Sequence, residues 1–124
     1  MKKGIKYILI FLSILTLTAV ILILKPVPIV SESEAITERG IVSQIYANSD
    51  NDIFFVLQKN DRRFYINRGL ERGIELNILK DQLIGNQIIL KYPKYWTPLD
   101  WNGNIKHISK VEINNKVLFN ELKR

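Results

Sequence analysis

Residues 5–24 read IKYILIFLSILTLTAVILIL, a run whose only charged residue is Lys6 near its start. At about 1.5 Å per residue, a helix of this length spans roughly 30 Å, the thickness of the hydrocarbon core of a bilayer. The run therefore predicts a transmembrane helix. It divides the 124-residue chain into a basic N-terminus at residues 1–4 and a remainder with room for one small core.

The flanks of the apolar run predict its orientation. Lys2, Lys3 and Lys6 lie before it or at its start, whereas glutamates follow it between residues 25 and 38. Because positive charge is retained on the cytoplasmic side, we expect a cytoplasmic N-terminus and an extracytoplasmic domain at the cell (inner) membrane. A cleaved signal peptide is the alternative, but its apolar core is usually about 7 to 15 residues long. We therefore expect an uncleaved, single-pass signal anchor.

The composition excludes several classes of site. The chain has no cysteine, so it has no thiol nucleophile, disulfide, cysteine-based zinc site or lipidated cysteine. After residue 24, fifteen Lys and Arg stand against twelve Asp and Glu, a net charge of +3, which is too small to predict a nucleic-acid binder. His107 is the only histidine and has no nucleophile or second ligand beside it in the sequence. We therefore expect no enzymatic activity, no catalytic or metal residue and no cofactor.

The segment 25–38, KPVPIVSESEAITE, separates the apolar run from the domain. It contains Pro26 and Pro28 and shows no hydrophobic periodicity. Because proline ends a helix and stiffens an extended chain, this segment predicts a short linker. The domain is expected over residues 39–124, where strand-like sequence begins.

The domain sequence predicts strands interrupted by one short helix. Runs rich in β-branched and aromatic residues favour strands at 41–46, 53–58, 63–67, 87–92, 105–113 and 116–120. Between the third and fourth of these, Leu76, Leu79 and Leu83 recur at helical spacing. Asn77 is the expected N-cap of this helix and Gly85 its C-terminal glycine.

This order of elements resembles the OB-fold, a five-stranded Greek-key barrel. The resemblance covers residues 38–113 and rests on element order and spacing. It implies a mainly β domain, namely an antiparallel OB-like β-barrel of five to six strands with one short helix between strands 3 and 4. An SH3-like barrel is the rival, but it usually lacks a full helix at this point. The OB-fold hosts many functions, so the resemblance implies no particular activity.

Aromatic residues are concentrated after the fourth predicted strand. Tyr92, Tyr95, Trp96 and Trp101 lie within ten residues that include both tryptophans of the chain. Rigid aromatic side chains on a loop are typical of contact surfaces, and in OB-folds the loop between strands four and five flanks the binding face. The alternative is that one tryptophan plugs the barrel mouth. Both roles are compatible if Trp96 points outward and Trp101 inward.

A second candidate surface is the basic stretch RRFYINRGLER. It places Arg62, Arg63, Arg68 and Arg72 around Tyr65. Guanidinium groups beside an aromatic ring suit phosphates, carboxylates and bases. Because acidic residues are interspersed, the alternative is a solvated strand face with local ion pairs.

One further pattern predicts a structural role. Asn48, Asp50 and Asp52 match the first positions of a calcium-binding loop. However, Ile53 and Lys59 stand where that loop needs a glycine and a glutamate. We therefore expect a polar turn at this point and no metal site.

Together these features predict a non-enzymatic, membrane-anchored binding module that contacts a protein partner of the cell envelope through the aromatic loop 92–104. The alternative is a module that binds an envelope polymer, either a glycan or an anionic strand, through that loop and the stretch 62–72. In either case the membrane tether raises the local concentration of the domain near other membrane-held molecules.

Overall fold

The computed structural model describes residues 2–123 and begins with a long helix. This helix, α1, occupies Lys3–Leu24 and contains the whole predicted apolar run. Within the described residues it is the one helix long and apolar enough to cross a membrane. The predicted span therefore coincides with a helix of suitable length.

The rest of the chain is built on a sheet. Its strands are β1 (Ile36–Ala47), β2 (Ile53–Leu57), β3 (Arg63–Ile66), β4 (Gln87–Tyr92), β5 (Ile105–His107), β6 (Lys110–Ile113) and β7 (Lys116–Asn120). They form one seven-stranded sheet in the order β5-β3-β2-β1-β4-β6-β7. The prediction of a mainly β domain is confirmed. The prediction of five to six strands is wrong, because the expected strand 105–113 is two strands.

That segment is divided because its two ends pair with different strands. β5 runs parallel to β3, and β6 runs antiparallel to β4. Between them, the Ile108 amide donates to the Tyr65 carbonyl at 2.8 Å and the Ser109 amide donates to the Lys91 carbonyl at 2.7 Å. The predicted antiparallel β-barrel is therefore corrected to a mixed sheet that is not closed. The strand hydrogen bonding is interrupted at residues 108–109, where the chain changes its partner strand.

Strand β1 connects the two halves of the sheet. Its first half, up to Ile41, pairs with β4, and its second half pairs with β2 from Val42 onward. The pairing with β2 contains a bulge between Val42 and Gln44, next to this change of partner. A bulge bends a strand and increases its twist. A Cβ atom on Gly40 would lie 2.9 Å from Leu57 Cδ1, so glycine permits the close approach of β1 and β2. The sheet surrounds a core whose largest fully buried side chains are Tyr92, Phe55 and Phe64.

Helix α2 occupies Leu76–Leu83 between β3 and β4, as predicted, and a 3₁₀ helix at Gly69–Arg72 precedes it. Its buried residues Leu79 and Leu83 pack on the sheet. The N-cap is Glu75, so the prediction of Asn77 as N-cap is wrong. Asn77 lies inside the helix because the turn begins with the apolar Leu76. Gly85 follows the helix at φ +85°, the left-handed conformation that glycine favours.

The segment after α1 is attached to the domain. The predicted linker 25–38 overlaps β1, which begins at Ile36. Near the other end of the chain, the Lys123 amide donates to the Val30 carbonyl at 2.8 Å. Chain entry and chain exit therefore lie side by side.

A charged contact reinforces this attachment. The Glu32 carboxylate accepts hydrogen bonds from the ammonium groups of Lys91 and Lys110. The bonds from Lys91 and then Lys110 hold the pKa of the Glu32 carboxyl below its ordinary value of 4.5. Two strands of the sheet thus hold the segment that follows α1.

Candidate functional site

Tyr92 does not belong to the surface on which the sequence placed it. It is the last residue of β4 and only 2% exposed. Its hydroxyl donates to Glu38 Oε2 at 3.3 Å, and Arg62 Nη1 donates to the Tyr92 oxygen at 3.5 Å. Burial, together with the charge of Glu38, raises the pKa of Tyr92. Tyr92 is therefore a core residue that a partner on the surface does not reach.

The two tryptophans lie on the loop 93–104, which joins β4 to β5. Trp96 is 41% exposed and Trp101 is 72% exposed. Their rings meet edge to face with centroids 5.1 Å apart, and Trp96 Nε1 donates to the Trp101 carbonyl at 3.0 Å. Neither ring fills the interior of the domain, so the interpretation of Trp101 as a plug is wrong. The core position nearest the loop is taken by Tyr92.

This loop lies against the end of α1. The Tyr95 hydroxyl donates to the Lys25 carbonyl at 2.7 Å. Leu22 of α1 lines a groove together with Tyr95 and Trp96. Within α1, all of which is described, Leu22 is the one residue that is not exposed. The aromatic loop therefore contacts the last turn of the apolar helix at Leu22.

The arginines at the start of the basic stretch have partners within the chain. Arg62 Nη1 lies 3.8 Å from Glu38 Oε2. Arg63 Nη1 donates to the Tyr46 hydroxyl at 3.0 Å, and its guanidinium carbon lies 5.9 Å from the centre of the Tyr46 ring.

The two later arginines are also paired. Arg68 Nε lies 3.7 Å from Glu71 Oε2. Arg72 Nη2 lies 3.5 Å from Glu121 Oε2, and Arg72 Nε donates to the Asn67 carbonyl at 2.9 Å. The four guanidinium groups thus have four different acidic or aromatic partners. This geometry favours the alternative of local ion pairs over a shared anion site.

Tyr65 belongs to a row of aromatic rings on the outer face of the sheet. Tyr46, Phe54, Tyr65 and His107 are successive cross-strand neighbours on β1, β2, β3 and β5. The successive ring centroids lie 5.2, 5.6 and 5.3 Å apart. We refer to these four rings as the aromatic ladder. The sequence analysis named Tyr65 and His107 separately and did not place them in one row, because the row exists only once the register of the strands is known.

The aromatic ladder turns its rings toward one another. Tyr46 and Phe54 stack with 7° between their planes, and Tyr65 meets the edge of His107. Burial and then the charge of Asp52 raise the pKa of the Tyr65 hydroxyl. Because the ring faces are already covered, the ladder stabilises the sheet and offers little surface for stacking a base or a sugar.

A groove opens between α2 and β7, and no residue of the loop 93–104 lines it. It has a volume of about 150 Å³. Its floor contains the buried residues Phe55, Leu79 and Val111, and Phe119 forms part of one wall. On the opposite wall, Ile78 of α2 is 52% exposed. Sequence analysis missed this groove, although Ile78 on the outer side of a short helix was a signal.

The predicted polar turn is present. Asn48 Oδ1 accepts hydrogen bonds from the amides of Asp50 and Asp52, each at 3.0 Å. In residues 2–123 there is no group of three His, Cys, Asp or Glu side chains that could hold a metal ion. His107 Nε2 forms a hydrogen bond of 2.5 Å with Glu121 Oε1.

No protein-family model, no curated protein and no solved structure matches this chain. Its function is therefore inferred from its own geometry. Besides α1 itself, the described residues present an apolar surface at the aromatic loop and another at the groove between α2 and β7. The two surfaces have no lining residue in common.

Proposed function

We propose that this chain is a single-pass membrane protein whose domain is a non-enzymatic binding module for a protein partner held at the same membrane. The length and apolar character of α1 support the anchor. The lysines before it and the glutamates after it support a cytoplasmic N-terminus and an extracytoplasmic domain. A partner in the same membrane meets the tethered domain at high effective concentration, so a contact of modest area suffices.

The finer fold that we propose is OB-like. The segment 105–113 acts as one strand that reaches β3 with its first half and β4 with its second half. The position of α2 between β3 and β4 supports this interpretation. In this arrangement α2 lies at one end of the domain and the loop 93–104 at the other.

The binding site is the groove between α2 and β7, and one observation carries the proposal: core residues form the floor of an open depression. A volume of about 150 Å³ is enough in a protein interior to hold a benzene ring. A large apolar side chain of the partner therefore fits it. Insertion removes Ile78 and the groove walls from water, which is how a few central residues supply most of the affinity of an interface.

The rim of the groove indicates the chemistry of the partner. Glu75 and Gln82 line it, and Asp81 is exposed on the same helix. Among the described residues, neither Glu75 nor Asp81 takes part in an ion pair within 4.0 Å. The expected partner segment carries an apolar anchor with Lys or Arg beside it, because opposite charges around an apolar contact select the partner and its orientation.

A protein contact through the loop 92–104 stays a prediction. The position of that loop against α1 favours a different role for it. Polymer binding also stays a prediction, and the paired arginines do not favour it.

The test is photo-crosslinking in living cells from a photoreactive residue in place of Gln82. We expect one discrete protein adduct whose crosslinked peptide contains a large apolar residue near Lys or Arg. The adduct is lost when Ile78→Glu places a charge on the groove wall. It is retained with Ile41→Glu, which changes another exposed isoleucine outside the groove. Absence of an adduct, or an adduct that survives Ile78→Glu, would overturn the proposal.

Membrane topology has a separate test. An alkaline phosphatase fused to the C-terminus of the full chain is expected to be active, because this enzyme folds only outside the cytoplasm. An inactive fusion that is present at normal amount would contradict the extracytoplasmic placement.

A further inference from the structure

We infer that the loop 93–104 docks on the bilayer surface at the point where α1 leaves the membrane, so that its partner is the lipid interface. The inference rests on the part of the proposed function in which α1 spans the membrane. It does not depend on the groove between α2 and β7. It differs from the predicted protein contact, which becomes one outcome of the test.

The depth of the loop follows from its contacts with α1. The apolar run ends at Leu24, so Leu22 lies two residues, or about 3 Å, inside that end. Tyr95 and Trp96 line a groove with Leu22, and the Tyr95 hydroxyl donates to the Lys25 carbonyl at 2.7 Å. A helix whose apolar run fills the hydrocarbon core therefore holds both rings at the boundary between acyl chains and headgroups.

The chemistry of the loop suits that boundary. Tyrosine and tryptophan are enriched there because their rings are apolar while each keeps one polar group. Trp101 is 72% exposed and Leu99 is 74% exposed. Within the described residues, the domain leaves these two side chains largely uncovered. Insertion among the upper acyl carbons removes their apolar surface from water.

The charges around the loop favour phospholipid headgroups. Lys25, Lys94 and Lys106 line the same groove as Leu22 and Tyr95. Ammonium groups at this depth extend toward lipid phosphates while their methylene carbons remain in apolar surroundings. The arrangement is that of a cationic and aromatic rim around the exit of a membrane helix.

The one acidic residue of the loop does not oppose this contact. Asp100 Oδ1 accepts from the Asn104 amide at 3.1 Å and Asp100 Oδ2 accepts from the Ile105 amide at 2.9 Å. The carboxylate therefore accepts hydrogen bonds from two backbone amides and stabilises the turn that contains Trp101. Because this turn and the bond between the two tryptophans already order the loop, docking needs little further ordering.

The inference also explains how the groove between α2 and β7 becomes accessible. A domain held by its loop at the membrane has a fixed orientation, with the opposite end of β4 directed away from the bilayer. A partner with an extended extracytoplasmic segment then reaches the groove without displacing lipid.

The test uses the intrinsic fluorescence of the chain, because both of its tryptophans lie in this loop. The full chain is reconstituted in vesicles of phosphatidylcholine with a minority of phosphatidylglycerol. Replacing the phosphatidylcholine by an acyl-brominated form quenches only indoles that contact the acyl region. We expect a marked loss of intensity, greater for bromine near the headgroup end of the chain than near the methyl end, and reduced quenching by aqueous acrylamide.

A matched control places the reporter in the groove between α2 and β7, outside the loop. In the variant Trp96→Phe, Trp101→Phe, Ile78→Trp, the single indole lies at the groove wall. We expect it to be quenched by acrylamide and not by brominated lipid. A second variant, Lys94→Glu, should reduce lipid quenching in the vesicles that contain phosphatidylglycerol and leave it unchanged in phosphatidylcholine alone.

The outcomes separate the inference from the proposed function. If the chain does not float with vesicles, the membrane anchor and the inference both fail. If it floats and its native tryptophans show no lipid quenching, the inference is overturned while the anchor stands. Quenching of the Ile78→Trp variant to the same degree would also overturn docking by this end. So would a discrete protein adduct in cells from a photoreactive residue in place of Leu99, because a protein would then be the partner of the loop.

Discussion

The domain carries two groups of aromatic side chains that differ in what covers their rings. In the aromatic ladder, Tyr46, Phe54, Tyr65 and His107 face one another across four strands, and each is half-buried. In the loop, Trp96 and Trp101 contact each other but remain exposed to the outside of the domain. The ladder gains its free energy within the fold, whereas the loop has apolar surface left for something else.

This difference shows that residue type alone does not identify a binding surface. An aromatic ring with neighbours at the spacing of adjacent strands is stabilised by those neighbours. A ring on a connecting loop has no such partners, so its exposure in the folded chain indicates an external contact. Substitutions that remove one ring at a time should separate the two kinds of role.

The largest effect is expected from Tyr92→Ala, which tests where the loop ends and the core begins. Tyr92 is next to the loop in the sequence, but its side chain is buried in the core. Removing its ring leaves a cavity, and we expect a loss of about 3 to 5 kcal/mol in the free energy of unfolding. Urea denaturation of the detergent-solubilised full chain, followed by near-ultraviolet circular dichroism, measures it.

Tyr92→Phe is the matched control. It keeps the ring and removes the hydroxyl that contacts Glu38, so we expect a loss of about 1 kcal/mol. If Tyr92→Ala lost less than about 1 kcal/mol, the loss expected for Tyr92→Phe, the assignment of Tyr92 to the core would be contradicted.

How much of this was predictable from sequence depended on the range of the interactions involved. The apolar run predicted α1 because a bilayer imposes a length and a composition on any segment that crosses it. The spacing of Leu76, Leu79 and Leu83 predicted α2 because these residues fall on one face of a helix. The burial of Tyr92 was also within reach, since Ile88, Leu90 and Tyr92 alternate along β4 and all face the core.

What the sequence did not reveal depends on contacts between distant segments. The division of the strand 105–113 results from two neighbouring amides that donate to different strands, and no local pattern encodes that change. The ladder needs the register of β1, β2, β3 and β5. The groove needs α2 and β7 side by side, and the position of the loop needs α1 and Tyr95 in contact. These are non-local pairings, which local patterns in the sequence do not reveal.

The second largest effect is expected from Phe54→Ala, in the middle of the ladder. Phe54 stacks between Tyr46 and Tyr65, and each aromatic pair contributes about 0.5 to 1.5 kcal/mol. We expect a loss of about 2 kcal/mol in the free energy of unfolding, measured by the same denaturation. Trp101→Ala is the control, with an expected loss of about 1 kcal/mol or less, because Trp101 is exposed and forms a single aromatic pair, with Trp96. Equal losses in the two variants would remove the distinction between ladder and loop.

A third prediction concerns the attachment that holds the loop end of the domain. The pKa of Glu32 is lowered in the folded state by Lys91 and Lys110. Its contribution to stability is therefore complete above the unfolded-state value near pH 4.5 and is lost as the pH falls through the lower folded-state pKa. The melting temperature of Glu32→Gln should lie below that of the native chain at neutral pH, and the gap should narrow in acid.

Glu34→Gln is the control for this effect, since Glu34 accepts a hydrogen bond from Ser31 and, within residues 2–123, forms no ion pair with a lysine. We expect its melting temperature to follow that of the native chain at every pH. A gap for Glu32→Gln that is the same at pH 7 and in acid would show that the ionic contact is not its cause.

The smallest effects on the free energy of unfolding are expected from removing one tyrosine hydroxyl from the aromatic ladder and one from the loop. Tyr46→Phe removes the acceptor of the Arg63 hydrogen bond, and Tyr95→Phe removes the donor to the Lys25 carbonyl. Both bonds are exposed, so we expect each change to cost about 0.5 kcal/mol or less.

The two changes should differ in their effect on the loop. Of the two tyrosines, Tyr95 lies in the loop and contacts the end of α1, whereas Tyr46 lies on β1. Tyr95→Phe should lower the fluorescence anisotropy of the two tryptophans, whereas Tyr46→Phe should leave it unchanged. The same anisotropy in both variants would mean that the contact with Lys25 does not hold the loop, and that lipid alone must position it.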